Sequence, residues 1–395
     1  MNDLYLFLTS YGRLLSWCLL GAAALCGALT WLLMAPYRRT AAIADYVPAE
    51  ATDTAPHPSL TVIVYASVHL EELDAYLETL MRQDYDNFDV VLVYDSGAST
   101  TAAISEHYNA LYENLYFTFI PPESHHISRR KLAVTLGMKA AKGDIVLTTG
   151  TSYSIPSDSW LSQMMDPFIH DRLTEVVLGL TRYDFGELTG IGRWYRQFDA
   201  VLTSAMWLGY AAGGHPYRGD GANLAFVRRL FFEQKGFART LTLQTGYEDV
   251  FVNDITNYEN TAIMLSPDTT LTAYWQEAAS RMWTDRKERA DFSARWLPSA
   301  PFLRAGAISM MQWGVAGCCA AAAVLGLPNL IPAIIAVILL LAFWVYEIII
   351  YRKVAARLQA VRLCLSLPFF WLWHPFGNLL FRWRHRPDRM KNYSF

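Results

Sequence analysis

The sequence predicts an α/β domain carried on membrane-spanning helices, and three observations predict it. Two long uncharged runs, residues 14–37 and 305–346, lie towards the two ends of the chain. Between them, short β-branched apolar runs alternate with amphipathic helical stretches, as in a buried parallel sheet flanked by helices. Charge is scarce overall, 17% against 53% hydrophobic, yet residues 38–304 alone hold 23 basic and 33 acidic side chains. That density suits a folded polar-surfaced domain, and the surplus hydrophobicity belongs to the ends.

The 24 uncharged residues of 14–37 exceed the roughly 20 needed to cross a bilayer. They are too long for a signal-peptide core, and no small-residue cleavage pattern follows. The 305–346 run is broken by Pro328, Asn329 and Pro332, a turn cluster that makes residues 305–351 a helical hairpin. A third stretch, 363–381, carries Pro368, His374 and Pro375, and reads as an interfacial helix within a basic tail, 361–395.

Arg38, Arg39, Arg304, Arg352 and Lys353 flank the spans on one side. By the positive-inside rule, residues 38–304 and the C-terminus face the cytoplasm in a multi-pass inner-membrane protein. All five cysteines fall in the apolar stretches, which leaves no disulfide framework and suits a reducing compartment. Residues 347–395 hold nine basic and two acidic side chains, with Trp371, Trp373 and Trp383 among them. This tail either binds anionic lipid headgroups or simply sets topology. A net charge of −3 gives no footprint for nucleic acid.

After a small, polar linker at 40–58, residues 60–67 read as a buried strand. Residues 71–83 form a helix with Leu73, Leu77 and Leu80 on one face, and a second buried strand from 89 ends at Asp95. Strand, helix, strand is a βαβ unit, and ligands sit at the carboxyl ends of such strands. A strand at 116–120 precedes the cluster Arg129-Arg130-Lys131 and a helix to Ala141; the next strand is 143–150. Arg129 and Arg130 read as surface residues. His125-His126 are sequence neighbours in a loop, poorly spaced to chelate one metal. Gly219-x-Gly221 lacks the third glycine of a dinucleotide fingerprint. The aromatic-rich 181–202 reads either as an acceptor surface or as an amphipathic helix at the membrane.

Five pieces, in order, resemble the membrane-bound family 2 glycosyltransferases: PSLTVIVYAS (58–67), LMRQDYDNFDVVLVYDSGAS (80–99), SRRKLAVTLGMKAAKGDIVLTTG (128–150), PYRGDGANLAFVRRLFFEQKGF (216–237) and TGYEDVFVND (245–254). WTDRKER (283–289) is similar to that family's aromatic-plus-basic motif, with Arg286 at the usual Gln position and Ala290 at the usual Trp. The resemblance implies a GT-A-like (Rossmann-like) nucleotide-sugar domain over 58–297. It implies sugar transfer with inversion from a nucleotide-sugar donor to a glycan or lipid-linked acceptor. Asp249 would be the general base with Glu248 beside it. Asp95, Lys131, Ser67, Lys287 and Arg289 would bind the donor. Trp283, Asn223 and Gly221 would face the acceptor.

One departure matters. Where the family carries Asp-x-Asp for Mg²⁺ or Mn²⁺, this chain has Gly150-Thr151-Ser152, and neutral groups are poor ligands for a hard cation. Three readings stay open: catalysis without metal, using cationic side chains; a metal held weakly by other carboxylates such as Asp95 with Glu248; or a non-catalytic scaffold or regulatory partner in cell-envelope glycan assembly.

Overall fold

The computed structural model describes residues 2–47, 57–66, 70–95, 104–108, 110–121, 128–186, 190–273, 279–327 and 330–385. In chain order its main elements are α1 (Asn2–Leu33), α2 (Ala35–Ala41), β1 (Leu60–Ala66), α3 (Leu70–Met81), β2 (Phe88–Tyr94), β3 (Leu115–Phe119), α4 (Arg129–Ala140) and β4 (Ile145–Gly150). Then follow β5 (Tyr153–Ser154), α5 (Trp160–His170), β6 (Val176–Leu178), β7 (Thr181–Tyr183), α6 (Gly190–Ala211), β8 (Leu224–Val227) and α7 (Arg228–Glu233). The chain ends with α8 (Tyr247–Ile255), β9 (Thr261–Ile263), β10 (Leu271–Ala273), α9 (Ala279–Ser293), α10 (Ser299–Gly326), α11 (Ile331–Arg357) and α12 (Leu367–Arg384). It divides into a helical unit (Met1–Ala42, Val201–Gly209, Ser299–Arg384) and a sheet unit (Ile43–Ala200, Tyr210–Pro298, His385–Phe395).

In the sheet unit, seven strands run in the order β3-β2-β1-β4-β8-β6-β9. β3, β2, β1 and β4 are parallel, and β8 is antiparallel to both of its neighbours. A smaller sheet has the order β5-β10-β7. The β-branched runs read from the sequence are the central strands because both of their faces are covered: Val62, Leu92 and Leu147 on one face and Ile63, Val93 and Val146 on the other are all buried. Leu73, Leu77 and Leu80 form the apolar stripe of α3 and pack into the same core. After β1 the chain adds β2 on one side, and β4 later joins on the other. The two directions part at the carboxyl end of β1, the switch point where such sheets open a crevice. Pairing of Ala66 with Tyr94 and of Tyr65 with Gly150 aligns the ends of β1, β2 and β4 at that edge.

In the helical unit, three helices are long and apolar enough to cross a membrane: Gly12–Leu33, Ser299–Gly326 and Ile331–Arg357. Leu20 and Ala23 of α1 pack with Val315, Cys319 and Ala322 of α10 and with Ala336 and Phe343 of α11. Small residues at these contacts let helices approach closely in an apolar medium. The helix expected over 14–37 begins earlier, at Asn2, and stops at Leu33. Proline cannot continue a helix, and Pro36 instead lies in the first turn of α2. Pro328 and Asn329 of the expected hairpin turn lie outside the described residues. Pro332 sits in the first turn of α11, and α12, with Pro375 inside it, follows as a separate helix.

Leu92, fully buried at the centre of β2, measures how far the sheet carries the domain. Leu92→Ala is expected to cost about 2–5 kcal/mol, read as a lower midpoint of denaturant unfolding in detergent.

Candidate functional site

The carboxyl edge of β1, β2 and β4 gathers the charged residues. Asp95 follows β2, and its backbone N–H donates to Ala66 O at 2.9 Å. Its carboxylate accepts from Tyr65 Oη at 2.6 Å and from Arg129 Nε at 2.5 Å. Burial alone would raise the pKa of Asp95, but the Arg129 and Tyr65 hydrogen bonds outweigh it and hold the group below the usual carboxylate range. Arg129 is therefore not a solvated surface residue, as its place in a basic cluster suggested. Ser67, expected to share this corner, lies outside the described residues.

Arg130 turns the other way, into a second cluster. Its Nε lies 3.1 Å from Glu248 Oε1, and Arg289 Nη1 lies 3.5 Å from Glu248 Oε2. The Glu248 side chain is only 9% exposed, while those of Arg130 and Arg289 are 22% and 24% exposed. Burial opposes charge on all three groups. The pairing wins in each case, holding Glu248 below its ordinary pKa and both arginines above theirs. Two glycines shape this contact. Gly246 caps α8 at φ +79°, and a Cβ there would lie 2.8 Å from Arg289 O. A Cβ at Gly221 would meet the Glu248 side chain at 2.9 Å.

Asp249, the next residue on α8, points elsewhere. Its Oδ2 lies 3.0 Å from Arg218 Nε and accepts from Ser293 Oγ at 2.7 Å. Burial to 5% exposure raises its pKa above the usual carboxylate value despite Arg218 and Ser293. A third buried carboxylate was not foreseen. Asp199 of α6 accepts from Trp283 Nε1 at 2.9 Å and pairs with Lys287 Nζ at 2.6 Å, so it fixes the aromatic and the cation of the WTDRKER segment together. It sits inside the aromatic-rich stretch 181–202.

Two expected ligand-binding residues are interior. Lys131 donates to the carbonyls of Thr240 and Leu243, each at 2.6 Å, and desolvation lowers its pKa to about 8. It ties the 240–243 loop to α4, and Arg130 is the cation that reaches the strand edge. Asn223 is 0% exposed. Its amide donates to Leu180 O (2.9 Å) and Thr269 O (2.7 Å) and accepts from Trp160 Nε1 (3.2 Å). Gly221 is buried too, its carbonyl accepting from Thr148 Oγ1 at 2.8 Å. Both residues expected at the acceptor side are thus buried in hydrogen-bonded interior positions.

The residues present do not fit a divalent cation. Gly150 closes β4, Thr151 N donates to Tyr65 O at 3.1 Å, and Ser152 is exposed. No carboxylate stands at the strand end, Asp95 is held by Arg129, and Glu248 is held by two arginines. Among the described residues, no group of three His, Cys, Asp or Glu is placed to hold a metal.

No family model matches the chain, and no curated protein does. Solved structures do. A mannosyltransferase, PcManGT from Pyrobaculum calidifontis, aligns over 93% of this chain and 99% of its own at 16% identity, with a TM-score of 0.51. This chain shares a glycosyltransferase fold. TarS from S. aureus (residues 1–349) aligns over 68% of this chain and 70% of its own at 16% identity and TM-score 0.38. A mycobacterial protein aligns over 64% and 78% at 12% identity and TM-score 0.44.

The interior role of Asn223 predicts a stability effect. Asn223→Ala removes three hydrogen bonds at about 1 kcal/mol each. It should lower the thermal midpoint in detergent by several degrees while the surviving folded protein keeps its nucleotide affinity.

Proposed function

We propose that this chain is a membrane-anchored glycosyltransferase that moves a sugar from a nucleotide-sugar to a glycan or lipid-linked acceptor, with inversion. One observation carries the reading. The carboxyl edge of β1, β2 and β4 has Asp95 paired with Arg129, and a neighbouring cluster sets Glu248 between Arg130 and Arg289, with Asp249 paired to Arg218, in a fold shared with a mannosyltransferase described with GDP-Man and Mn²⁺. Such an edge is where an α/β sheet takes a nucleotide.

In this reading Asp95 and Ser67 serve the nucleoside and the cations serve the diphosphate. Asp249 accepts the acceptor hydroxyl's proton as that oxygen attacks the anomeric carbon. The bond from that carbon to the diphosphate oxygen breaks, and the nucleoside diphosphate leaves with the electron pair. A base is most effective when its pKa approaches the working pH, and the raised pKa of Asp249 is in that direction. Asp199 fixes both Trp283, on the acceptor side, and Lys287, on the donor side. The three apolar helices anchor the domain, with the sheet unit in the cytoplasm and α12 with the basic tail at the lipid surface.

A second reading has its own observation. Asp249 is 5% exposed and closed in by Arg218 and Ser293, as suits a residue that only stabilises the fold. The chain would then be a non-catalytic partner in glycan assembly that keeps the nucleotide site.

The variant Asp249→Asn separates the two. The transferase reading expects sugar transfer to fall by about 10²–10⁴-fold with nucleotide affinity retained. It also expects wild-type activity to fall at low pH as Asp249 protonates. Because Arg218 favours the charged form, Arg218→Gln should move that acid limb to higher pH. Activity unchanged in Asp249→Asn would remove Asp249 from the chemistry.

A further inference from the structure

The nucleotide-sugar reading leaves a question that the Arg130–Glu248–Arg289 contact answers. A nucleotide-sugar carries two negative charges on its diphosphate. The sheet unit is acidic overall, and the strand end that would hold a metal-binding pair of carboxylates is Gly150-Thr151-Ser152.

Exchanging two carboxylates and a divalent cation for three neutral residues leaves the local charge unchanged. What remains is set by the arginines. Arg130 and Arg289 face one carboxylate, an excess of one positive charge, and each guanidinium works against the other's charge. Like charges held together across a single anion are relieved by a dianion.

Three further observations place this pair at the donor's position. Arg130 Nη1 donates to Tyr153 Oη at 3.2 Å, and Tyr153 begins β5 one residue beyond the Gly150-Thr151-Ser152 triplet. The Tyr153 ring lies 3.7 Å from where a Gly150 Cβ would stand, so one aromatic side chain bridges the guanidinium and the end of β4. Arg289 Nε is buried and has no hydrogen-bond acceptor among the described residues, a donor in need of a partner. Arg286 stacks over Tyr183 at 4.5 Å, which brings a third guanidinium to the same face of α9. Planar guanidiniums bind phosphate oxygens in pairs and hold their charge at any working pH.

We propose that Arg130 and Arg289 are the seat of the donor diphosphate, that they act there in place of a divalent cation, and that Glu248 holds the seat in the free protein until the diphosphate displaces it. The inference rests on the nucleotide-sugar reading and adds to it an internal competitor. Glu248 is a flexible side chain whose stem runs past Gly221, where the missing Cβ leaves it room. When it yields, two positive charges meet the two negative charges of the diphosphate.

The test is binding of UDP and GDP to the full-length protein in detergent, by calorimetry, in EDTA and in Mn²⁺, with inorganic pyrophosphate as competitor. One of the two nucleotides is expected to bind equally well, within about twofold, in both conditions, and pyrophosphate should displace it in EDTA. Glu248→Gln, nearly the same size, is expected to bind about tenfold more tightly because the competing charge is gone. Arg130→Gln and Arg289→Gln should each bind at least about tenfold more weakly. A thermal melt of each variant identifies any that fails to fold. Arg289→Lys, which keeps the charge but loses the paired donors, then gives the same comparison in a milder form. Binding that appears only with Mn²⁺, or that weakens in Glu248→Gln, overturns the proposal and leaves the nucleotide-sugar reading standing. Absence of binding to either nucleotide in both conditions overturns both.

Discussion

The buried carboxylate of Glu248 between Arg130 and Arg289 is the constraint on which the rest of the site depends. Its three members come from separate elements: Glu248 from the start of α8, Arg130 from the start of α4 and Arg289 from α9. An unpaired carboxylate at that depth would be strongly disfavoured, so the three helices are held in register with one another. A side chain at Gly221 would collide with Glu248 itself, and one at Gly246, where φ is +79°, would collide with the α9 backbone at Arg289.

Around it, three further acidic groups each have a cation. Asp95 has Arg129, Asp249 has Arg218, and Asp199 has Lys287. Arg129 and Arg130, adjacent in sequence, thus serve different carboxylates on either side of the β1 edge. Of these four contacts among the described residues, the central one has more cations than anions. A net positive site inside an acidic domain suits an anionic ligand.

Much of the fold was legible. The apolar runs read at 60–67, from 89 and at 143–150 are the central parallel strands β1, β2 and β4, and the stripe Leu73, Leu77 and Leu80 packs into the same core. The apolar ends declared themselves by length and absence of charge. The site was legible as residue types but less so as partners. Asp95 and the Glu248-Asp249 pair stand where strand ends and helix starts place acids. Nothing local distinguishes Arg130 from Lys131, although the phase of α4 turns one to the strand edge and the other to the carbonyls of 240–243. Asn223, expected to face the acceptor, is buried among Leu180, Thr269 and Trp160, all distant in sequence. The same long-range pairing hid Asp199. Such contacts depend on chain crossings that no local pattern records.

Turnover in the absence of metal tests the account most directly. The measurement is release of nucleoside diphosphate from a panel of UDP- and GDP-sugars by the purified full-length protein in EDTA, with added Mn²⁺ as the comparison. The account predicts release from one donor in EDTA at a rate that Mn²⁺ changes little. Nucleotide binding with no release under either condition, or release that requires Mn²⁺, would contradict it.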